Sequence, residues 1–215
     1  MRLSYRYLID PIDTRQALRA LNFRDVVGLD TETYCEGETR TVHLSLLQVA
    51  TLDGQLLVID ALAAGIGEAR EFLESKAILK VAHNAGFDHG ALSSAGFTPQ
   101  ALLDTLRLTR RNLDLESFSL ASVARHLLGL TVDKTLQKSN WLRRPLDRAQ
   151  LDYAALDAKL ALDVYVAMKG KLSDAGCFED EQLRARLDWK RPAAKATGFV
   201  RPPTSSERKA QLQRI

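Results

Sequence analysis

Two carboxylates follow an apolar run near the start of the chain, in the stretch DVVGLDTE at residues 25–32. Side chains two apart in a strand point to the same face, so Asp30 and Glu32 are predicted to lie together at the end of a buried strand. Their charges repel, and burial makes the ionisation of each more costly unless a cation lies between them. The alternative is a strand that simply ends in a polar turn. Further inward-facing carboxylates elsewhere in the chain would argue against that alternative.

Two more acidic residues occupy the apolar faces of predicted helices. Asp88 belongs to the stripe that three apolar residues form at i+3, i+4 and i+7. On a long C-terminal helix, predicted from residue 147 to about 169, Asp157 shares an inward stripe with Tyr153, which lies one turn earlier. Taken singly, each acid could be a helix cap, an ion-pair partner or a hydrogen-bonded core residue.

Four carboxylates without histidine or cysteine partners are typical of a site for hard divalent cations. Mg²⁺ and Mn²⁺ prefer oxygen ligands, and two such ions about 3.5–4 Å apart can activate a water and stabilise the leaving oxygen in phosphodiester hydrolysis. The four histidines and the two cysteines, Cys35 and Cys177, fall at no metal-ligand spacing, which argues against a transition-metal site. A structural calcium ion is the competing hypothesis, but no EF-hand pattern is present.

The composition and the order of elements predict an α/β domain. Of 215 residues, 46% are hydrophobic and 27% are charged, as in a globular protein. A short strand (5–9) and a helix from Pro11 come first. Three strands follow: the first is predicted to end at Glu32, the second to cover 42–51 after a polar turn at 34–41, and the third to cover 55–60. The remaining elements are helices at 66–75, 87–95 and 119–128, strands at 77–83 and 102–104, a short helix through 106–108, a basic loop at 132–145 and the long C-terminal helix.

Three segments resemble the exonuclease motifs of the DEDDy 3′-5′ exonucleases, in the order that this family uses. They are LDTET at 29–33, HNAGFD at 83–88 and YAALD at 153–157. The closest similarity is to ribonuclease D, because VDKTLQKSNWLRRPL at 132–146 resembles the signature segment of that subfamily, as does DT at 104–105. The resemblance covers about residues 20–170.

The resemblance implies an RNase H-like (DnaQ-like exonuclease) fold, with a five-stranded mixed sheet flanked by helices and the active site at the end of the first strand. It also implies two metal ions. Asp30, Glu32 and Asp157 would hold the first, while Asp30 would bridge to the second and Asp88 would hold that one, in part through water. Tyr153 would position the attacking water with its phenol protonated, since an ordinary tyrosine pKa of about 10 makes it a poor base at neutral pH.

The resemblance also implies residues that bind the substrate. Lys134, at the start of the basic loop, would contact a phosphate near the scissile bond. Thr33, His83 and Asn84 would line the pocket of the terminal nucleotide. Asp104, although it lies in a short motif, is expected to be structural.

The chain departs from ribonuclease D after the tyrosine-bearing helix. We expect an exonuclease domain over residues 1–189 and a basic tail over 190–215, without the HRDC domains of ribonuclease D. The tail has seven Lys and Arg residues against one Glu, a balance of +6, which leaves the first 189 residues at −3. It could contact RNA phosphates in place of those domains, or be a solvated or oligomer-docking extension. Trp141 and Trp189 could stack on bases, although buried packing is the commoner role of tryptophan.

The leading prediction is a metal-dependent 3′-5′ exoribonuclease that releases nucleoside 5′-monophosphates from single-stranded RNA 3′ ends, with a role in RNA maturation. The alternatives are the same chemistry on DNA or on very short oligonucleotides, and a nucleic-acid-binding module that has lost catalysis. The complete set of implied ligands disfavours the binding module. The N-terminus has no apolar signal-peptide core, and no stretch approaches the ~18 apolar residues of a membrane span. A cytoplasmic location without membrane contact is therefore expected, and the oligomeric state is left open.

Overall fold

A computed structural model describes residues 3–36 and 41–173 of the chain. The strands are β1 (Arg6–Leu8), β2 (Val26–Glu36), β3 (Thr41–Thr51), β4 (Leu56–Asp60), β5 (Leu79–Ala82) and β6 (Leu102–Asp104). The helices are α1 (Pro11–Arg19), α2 (Arg70–Glu74), α3 (Ala85–Ser94), α4 (Thr105–Asn112), α5 (Leu120–Leu128) and α6 (Arg148–Ser173), with 3₁₀ turns at Gly67–Ala69 and Thr135–Lys138. The expected basic tail, Trp189 and Cys177 lie outside the described residues, as does the expected domain boundary at residue 189.

The strands form one mixed sheet in the order β1-β4-β3-β2-β5-β6. β3 pairs antiparallel with β2 and β4, whereas the β1–β4, β2–β5 and β5–β6 pairs are parallel. The expected mixed sheet flanked by helices is therefore confirmed. Across the described ranges the sheet has six strands and not five, because β1 adds to the outer edge of β4.

The β2-β3 hairpin extends further than the sequence predicts. Residues 34–36 belong to β2 and pair with β3, so the expectation of a polar turn there is wrong. Pairing with β3 satisfies the backbone of these residues, and local composition does not reveal that contact. Asp30 and Glu32 consequently lie inside β2 and not at its end. They do lie beyond the end of the neighbouring strand, because β2 pairs with β5 only as far as Gly28 opposite Val81.

Helices cover both faces of the sheet. On one face α1, α2 and α3 bury residues such as Leu18, Phe72 and Leu92 against β2, β3 and β4. On the other face α4, α5 and α6 form a second cluster around residues such as Val123 and Val164. The sheet is thus the middle layer of a three-layer α/β/α arrangement. Among the helices within residues 3–36 and 41–173, none combines the length and apolar character that crossing a membrane requires.

Helix α6 begins at the capping box that the sequence predicts. The backbone N–H of Asp147 donates to Gln150 Oε1 at 3.1 Å, and the backbone N–H of Gln150 donates to Asp147 Oδ1 at 2.8 Å. Two i,i+4 ion pairs lie on the outer face of the helix. The predicted solvated face is therefore confirmed, and Tyr153 and Asp157 lie on a different side, where they line a cleft beside β2.

Gly28 sets the distance between β2 and α6. A Cβ atom at this position would lie 2.1 Å from the carbonyl oxygen of Ala158 and 2.9 Å from Leu162 Cβ. Because the interior is close-packed, any larger residue would force the helix away from the strand. The close approach brings Asp157, which precedes Ala158 on the helix, towards Asp30, which follows Gly28 by two residues on the strand.

We expect Gly28→Ala to lower the free energy of unfolding by about 3 kcal/mol, because α6 must shift to accept the methyl group. Gly170→Ala is the control. Gly170 lies in α6, and no atom lies within 4 Å of the Cβ that the substitution adds. That substitution should raise stability by up to about 1 kcal/mol through helix propensity. Urea unfolding of both variants measures the difference. A Gly28→Ala variant as stable as the wild type would show that α6 does not depend on this contact.

Candidate active site

Three carboxylates converge where β2 passes under α6. One oxygen each of Asp30, Glu32 and Asp157 can lie within 4.8 Å of the others. Asp30 and Glu32 share a face of β2 because they are two residues apart, and Asp157 comes from the inward side of α6. The two acids that the sequence pairs, together with the acid on the C-terminal helix, are therefore brought together by the fold.

Asp88 lies beside this group and is held by a separate contact. It lies in the first turn of α3 and is 2% exposed. Thr31 points to the face of β2 opposite to that of Asp30 and Glu32. Its Oγ1 donates to Asp88 Oδ1 at 2.7 Å. Asp88 thus approaches from the α3 side of the sheet, and its oxygens do not belong to the three-carboxylate group.

Asp30 and Glu32 are difficult to ionise without a counter-charge. Burial raises the pKa of Asp30 well above its ordinary value, and the neighbouring carboxylates, of which Asp88 has the largest effect, raise it further. Burial, followed by the charges of Asp157 and Asp88, raises the pKa of Glu32 to about 9. The pair therefore resists full ionisation at neutral pH.

The other two carboxylates are shifted less. Burial raises the pKa of Asp88 to about 7, although the hydrogen bond from Thr31 opposes the increase. Burial also raises the pKa of Asp157 to about 6, and a hydrogen bond from Tyr153 and the charge of Lys134 limit this increase. An all-oxygen donor set under such repulsion fits a hard divalent cation, which would favour the ionised form of every carboxylate.

Tyr153 is hydrogen-bonded to the acidic group through its phenol. Burial is the largest cause of its raised pKa, and the charge of Asp157 and the hydrogen bond to that carboxylate raise the pKa further. Its hydroxyl is therefore protonated at neutral pH. The phenol can donate a hydrogen bond in the site, but it cannot serve as a base there.

A cleft of about 790 Å³ opens over these residues. It is lined by all four carboxylates, by Tyr153, and by the expected substrate residues Thr33, His83 and Asn84. The other lining residues are Thr31, Phe87, Leu106, Arg110, Ser117, Phe118, Ser119, Leu120, Gln137 and Trp141. The sequence-predicted residues therefore share one surface, except Lys134, which lies at its margin.

His83 and Asn84 have roles in the fold that restrict what they can do in the cleft. His83 Nε2 contacts the carbonyl oxygen of Phe118 at 2.8 Å, and Nδ1 contacts Thr105 Oγ1 at 3.0 Å. Burial lowers the pKa of His83, so the ring is neutral and both of its nitrogens are engaged. Asn84 has a φ of 68° at the start of α3, and its backbone N–H donates to Asp104 Oδ1 at 2.9 Å.

Asp104 and Lys134 do not line the cleft, but each is hydrogen-bonded to residues that do. Asp104 Oδ1 also accepts from the backbone N–H of Leu106 at 3.0 Å, so it caps α4, in agreement with the structural role expected for it. Lys134 is exposed, and its Nζ donates to Ser119 Oγ at 2.8 Å. Its charge reaches the acidic group, because it opposes the rise in the pKa of Asp157.

One wall of the cleft is aromatic and cationic, which the sequence did not predict. Phe87 is 48% exposed, and the Arg110 guanidinium carbon lies 5.9 Å from the centroid of the Phe118 ring. Arg110 is one of several basic residues of α4, and no spacing marks it as the one that faces the cleft. Phe87 lies within the HNAGFD segment, so the motif itself could have indicated it. Trp141 is only 3% exposed, in agreement with buried packing.

Comparison with known proteins assigns the chain to a family. Residues 5–173 match the family model for 3′-5′ exonucleases of the DNA polymerase A type. The matched span includes the four carboxylates, Tyr153 and every residue that lines the cleft.

Ribonuclease D is among the relatives. The chain is 32% identical over 150 residues to ribonuclease D of Desulfotalea psychrophila, a match that covers 69% of this chain and 40% of that protein. The chain thus spans less than half the length of that relative.

Solved structures of nucleases share the fold. Escherichia coli RNase D, described as an exoribonuclease involved in structured RNA processing, superposes with a TM-score of 0.70 at 25% identity, covering 86% of this chain and 51% of that chain. NrnC of Brucella melitensis bound to pGG superposes with a TM-score of 0.64 at 25% identity, covering 90% of this chain and 100% of that chain. The expected RNase H-like exonuclease fold is therefore confirmed, and the chain belongs to the 3′-5′ exonuclease family, with ribonuclease D among its relatives.

Proposed function

We propose that the chain is a metal-dependent 3′-5′ exoribonuclease of the ribonuclease D type, which releases nucleoside 5′-monophosphates from single-stranded RNA 3′ ends during RNA maturation. The observation that carries this proposal is the acidic group itself. Three carboxylate oxygens lie within 4.8 Å of one another at the floor of an open cleft. Asp88 and the hydroxyl of Tyr153 lie beside them, which completes the residue set expected for phosphodiester hydrolysis.

The carboxylates divide into two sets of ligands. Asp30, Glu32 and Asp157 would hold one Mg²⁺ or Mn²⁺ ion, and Asp88 would hold a second, with Asp30 shared between them. When bound, the two ions supply an activated water and stabilise the charge that develops on the leaving oxygen. The separate position of Asp88, fixed by Thr31 at 2.7 Å, supports this division.

Protein side chains orient the water and the substrate. Because the pKa of Tyr153 is raised, its phenol remains protonated and positions the attacking water by hydrogen bonding. Lys134 contacts a phosphate near the scissile bond. Thr33 and Asn84 line the pocket of the terminal nucleotide, while His83 shapes that pocket through the Phe118 carbonyl to which it is bonded.

DNA or very short oligonucleotides are the alternative substrates. The NrnC structure holds the dinucleotide pGG, and the chain covers all of that protein. The cleft itself does not distinguish the substrates, since the exposed Phe87 ring can stack on any base. RNA is favoured because the chain shares about a third of its residues with ribonuclease D over the matched span.

Asp30→Asn should lower kcat on 5′-labelled single-stranded RNA by about 100-fold or more, because it removes the ligand shared by both ions. Tyr153→Phe should lower kcat by about 10- to 100-fold, as is usual for residues that orient a metal site. Asp163→Asn, on the outer face of α6, is the matched control and should retain full activity. A denaturing gel should show shortening one nucleotide at a time from the 3′ end, and EDTA should abolish it. Full activity of Asp30→Asn or in EDTA would refute the proposal.

A substrate panel separates the proposed activity from its alternatives. Matched RNA, DNA and dinucleotide substrates should be cleaved at different rates in Mn²⁺, with the highest kcat/KM on RNA. Faster cleavage of DNA or of the dinucleotide would select that alternative. Tight RNA binding without turnover in either metal would instead indicate a non-catalytic binding module.

Mn²⁺ should stabilise the folded protein through the same carboxylates, by ~2.7 kcal/mol at about 100 times its dissociation constant. The folded-state pKa of Glu32 is about 9, whereas the unfolded value is about 4.3. Its burial therefore costs stability as the pH rises above about 4, until the pH passes the folded value.

Glu32→Gln should thus be more stable than the wild type without metal at pH 8, by a few kcal/mol and at most about 5, since each pKa unit corresponds to about 1.36 kcal/mol. Mn²⁺ should also raise the free energy of unfolding of this variant by less than that of the wild type. Glu71→Gln, on the exposed face of α2, is the control and should change neither quantity. Thermal unfolding with and without Mn²⁺ measures both effects. A Glu32→Gln variant that keeps the full gain from Mn²⁺ would contradict the ligand assignment.

A further inference from the structure

We propose that Arg144 is a positioning residue for Tyr153, and that it acts through Trp141. This inference rests on the proposed function, because it assumes that the Tyr153 phenol orients the attacking water. Arg144 lies in the loop between α5 and α6 and does not line the cleft. Its effect on the reaction must therefore pass through other residues.

Arg144 is held by a buried carboxylate at the end of β4. Its Nε donates to Asp60 Oδ2 at 2.6 Å and its Nη2 donates to Oδ1 at 2.9 Å. Asp60 is 1% exposed, and the hydroxyl of Tyr7 donates to its Oδ2 at 2.5 Å. Burial alone would raise the pKa of Asp60, but the hydrogen bonds and the charge of Arg144 outweigh it and lower the pKa below its ordinary value. The ionised carboxylate therefore holds the guanidinium in one orientation.

The same guanidinium holds the backbone of Trp141. Arg144 Nη1 donates to the Trp141 carbonyl oxygen at 2.8 Å, and Nη2 donates to Ser45 Oγ at 2.9 Å. The Ser45 hydroxyl donates to the Trp141 carbonyl at 2.5 Å. Ser45 lies at the β-bulge of the β2-β3 pair, where the register shifts between Glu32 and Thr33. A bulge commonly redirects a side chain near an active site, and here it directs Ser45 to the loop.

Trp141 connects this anchor to α6. Its side chain is 3% exposed, and its ring centroid lies 6.2 Å from that of Tyr153, with 34° between the ring planes. This separation is typical of packed aromatic pairs. The Tyr153 phenol is in turn hydrogen-bonded to Asp157. A continuous series of contacts therefore runs from Asp60 to the acidic group.

Side-chain contacts are needed here because regular secondary structure does little to fix this loop. Between α5 and α6 the structure has one 3₁₀ turn of four residues, Thr135–Lys138. A buried ion pair contributes less to stability than its Coulomb attraction suggests, because both charges must be desolvated. Misplacement of a catalytic group by about 1 Å can lower a rate about 100-fold. We therefore assign the Arg144–Asp60 pair to the orientation of Trp141 and Tyr153.

A double-mutant cycle on the full chain tests the assignment. Arg144→Lys keeps the charge but cannot bind Asp60 at two atoms and the Trp141 carbonyl at the same time. We expect it to lower kcat on single-stranded RNA about 10-fold, with KM and Mn²⁺ affinity unchanged. In the Tyr153→Phe background the same substitution should change kcat less than about 2-fold, because the phenol that it positions is absent.

Arg15→Lys is the matched control for loss of a two-bond arginine pair. Arg15 donates to Glu68 from Nε at 2.5 Å and from Nη2 at 2.7 Å on the exposed surface, and neither residue lines the cleft. We expect kcat of Arg15→Lys to equal that of the wild type. A general sensitivity to arginine replacement would appear in this variant too.

The NMR signal of the Tyr153 ring gives a readout that does not depend on catalysis. Comparison with Tyr153→Phe assigns the signal. Arg144→Lys should shift it, whereas Arg15→Lys should not. Trp141→Phe, which leaves the Arg144–Asp60 pair intact, should also shift the signal and lower kcat. If Arg144→Lys fails to fold, an unchanged kcat in Trp141→Phe would overturn the assignment, because Arg144 is proposed to act only through Trp141.

Three results would each overturn the assignment: a loss of kcat that persists in the Tyr153→Phe background, a rise in KM alone, or an unshifted Tyr153 signal in Arg144→Lys. A wild-type chain that cleaves no nucleic acid would refute the proposed function instead. In that case the Tyr153 signal still decides whether Arg144 holds the ring in place.

Discussion

Repulsion among buried carboxylates is the constraint that the rest of this fold must satisfy. Three carboxylate oxygens lie within 4.8 Å of one another, in a place where burial already disfavours their charges. A flexible scaffold would relieve the strain by letting the side chains separate. Here two of the acids come from the interior of β2, where the strand pairs with β3, and the third comes from α6, the longest helix of the described region. Rigid elements keep the carboxylates together, and such an all-oxygen cluster fits a hard divalent cation.

Two features of the packing make the convergence possible. Gly28 allows α6 to lie directly on β2, so Asp157 reaches the strand. β2 also extends past the end of β5, which leaves an opening beside Asp30 through which Asp88 approaches from α3. The walls of the cleft come from other elements, namely α3, α4, the start of α5 and the loop before α6. The positions of the carboxylates therefore depend on the sheet, α3 and α6, whereas much of the cleft wall comes from segments that can vary independently.

Much of the site follows from local patterns in the sequence. The period of two along β2 places Asp30 and Glu32 on one face, and the period of 3.6 along α3 and α6 places Asp88, Tyr153 and Asp157 on their inward sides. These patterns are properties of short segments, so they do not depend on contacts between distant parts of the chain. The capping box at the start of α6 and the glycine that ends α5 are predictable for the same reason, since each is completed within about four residues.

Contacts between distant segments decided the rest. The continuation of β2 to Glu36 depends on its pairing with β3, and the need for glycine at position 28 depends on α6, which begins 120 residues later. Arg144 and Asp60 are 84 residues apart in the chain, and neither belongs to a sequence motif that predicts its contact with the other. The sequence by itself determined which acidic residues and which tyrosine turn towards the cleft, because residue type and local period specify them. Only the tertiary structure decided what holds those residues in place, because packing joins residues that no local period relates.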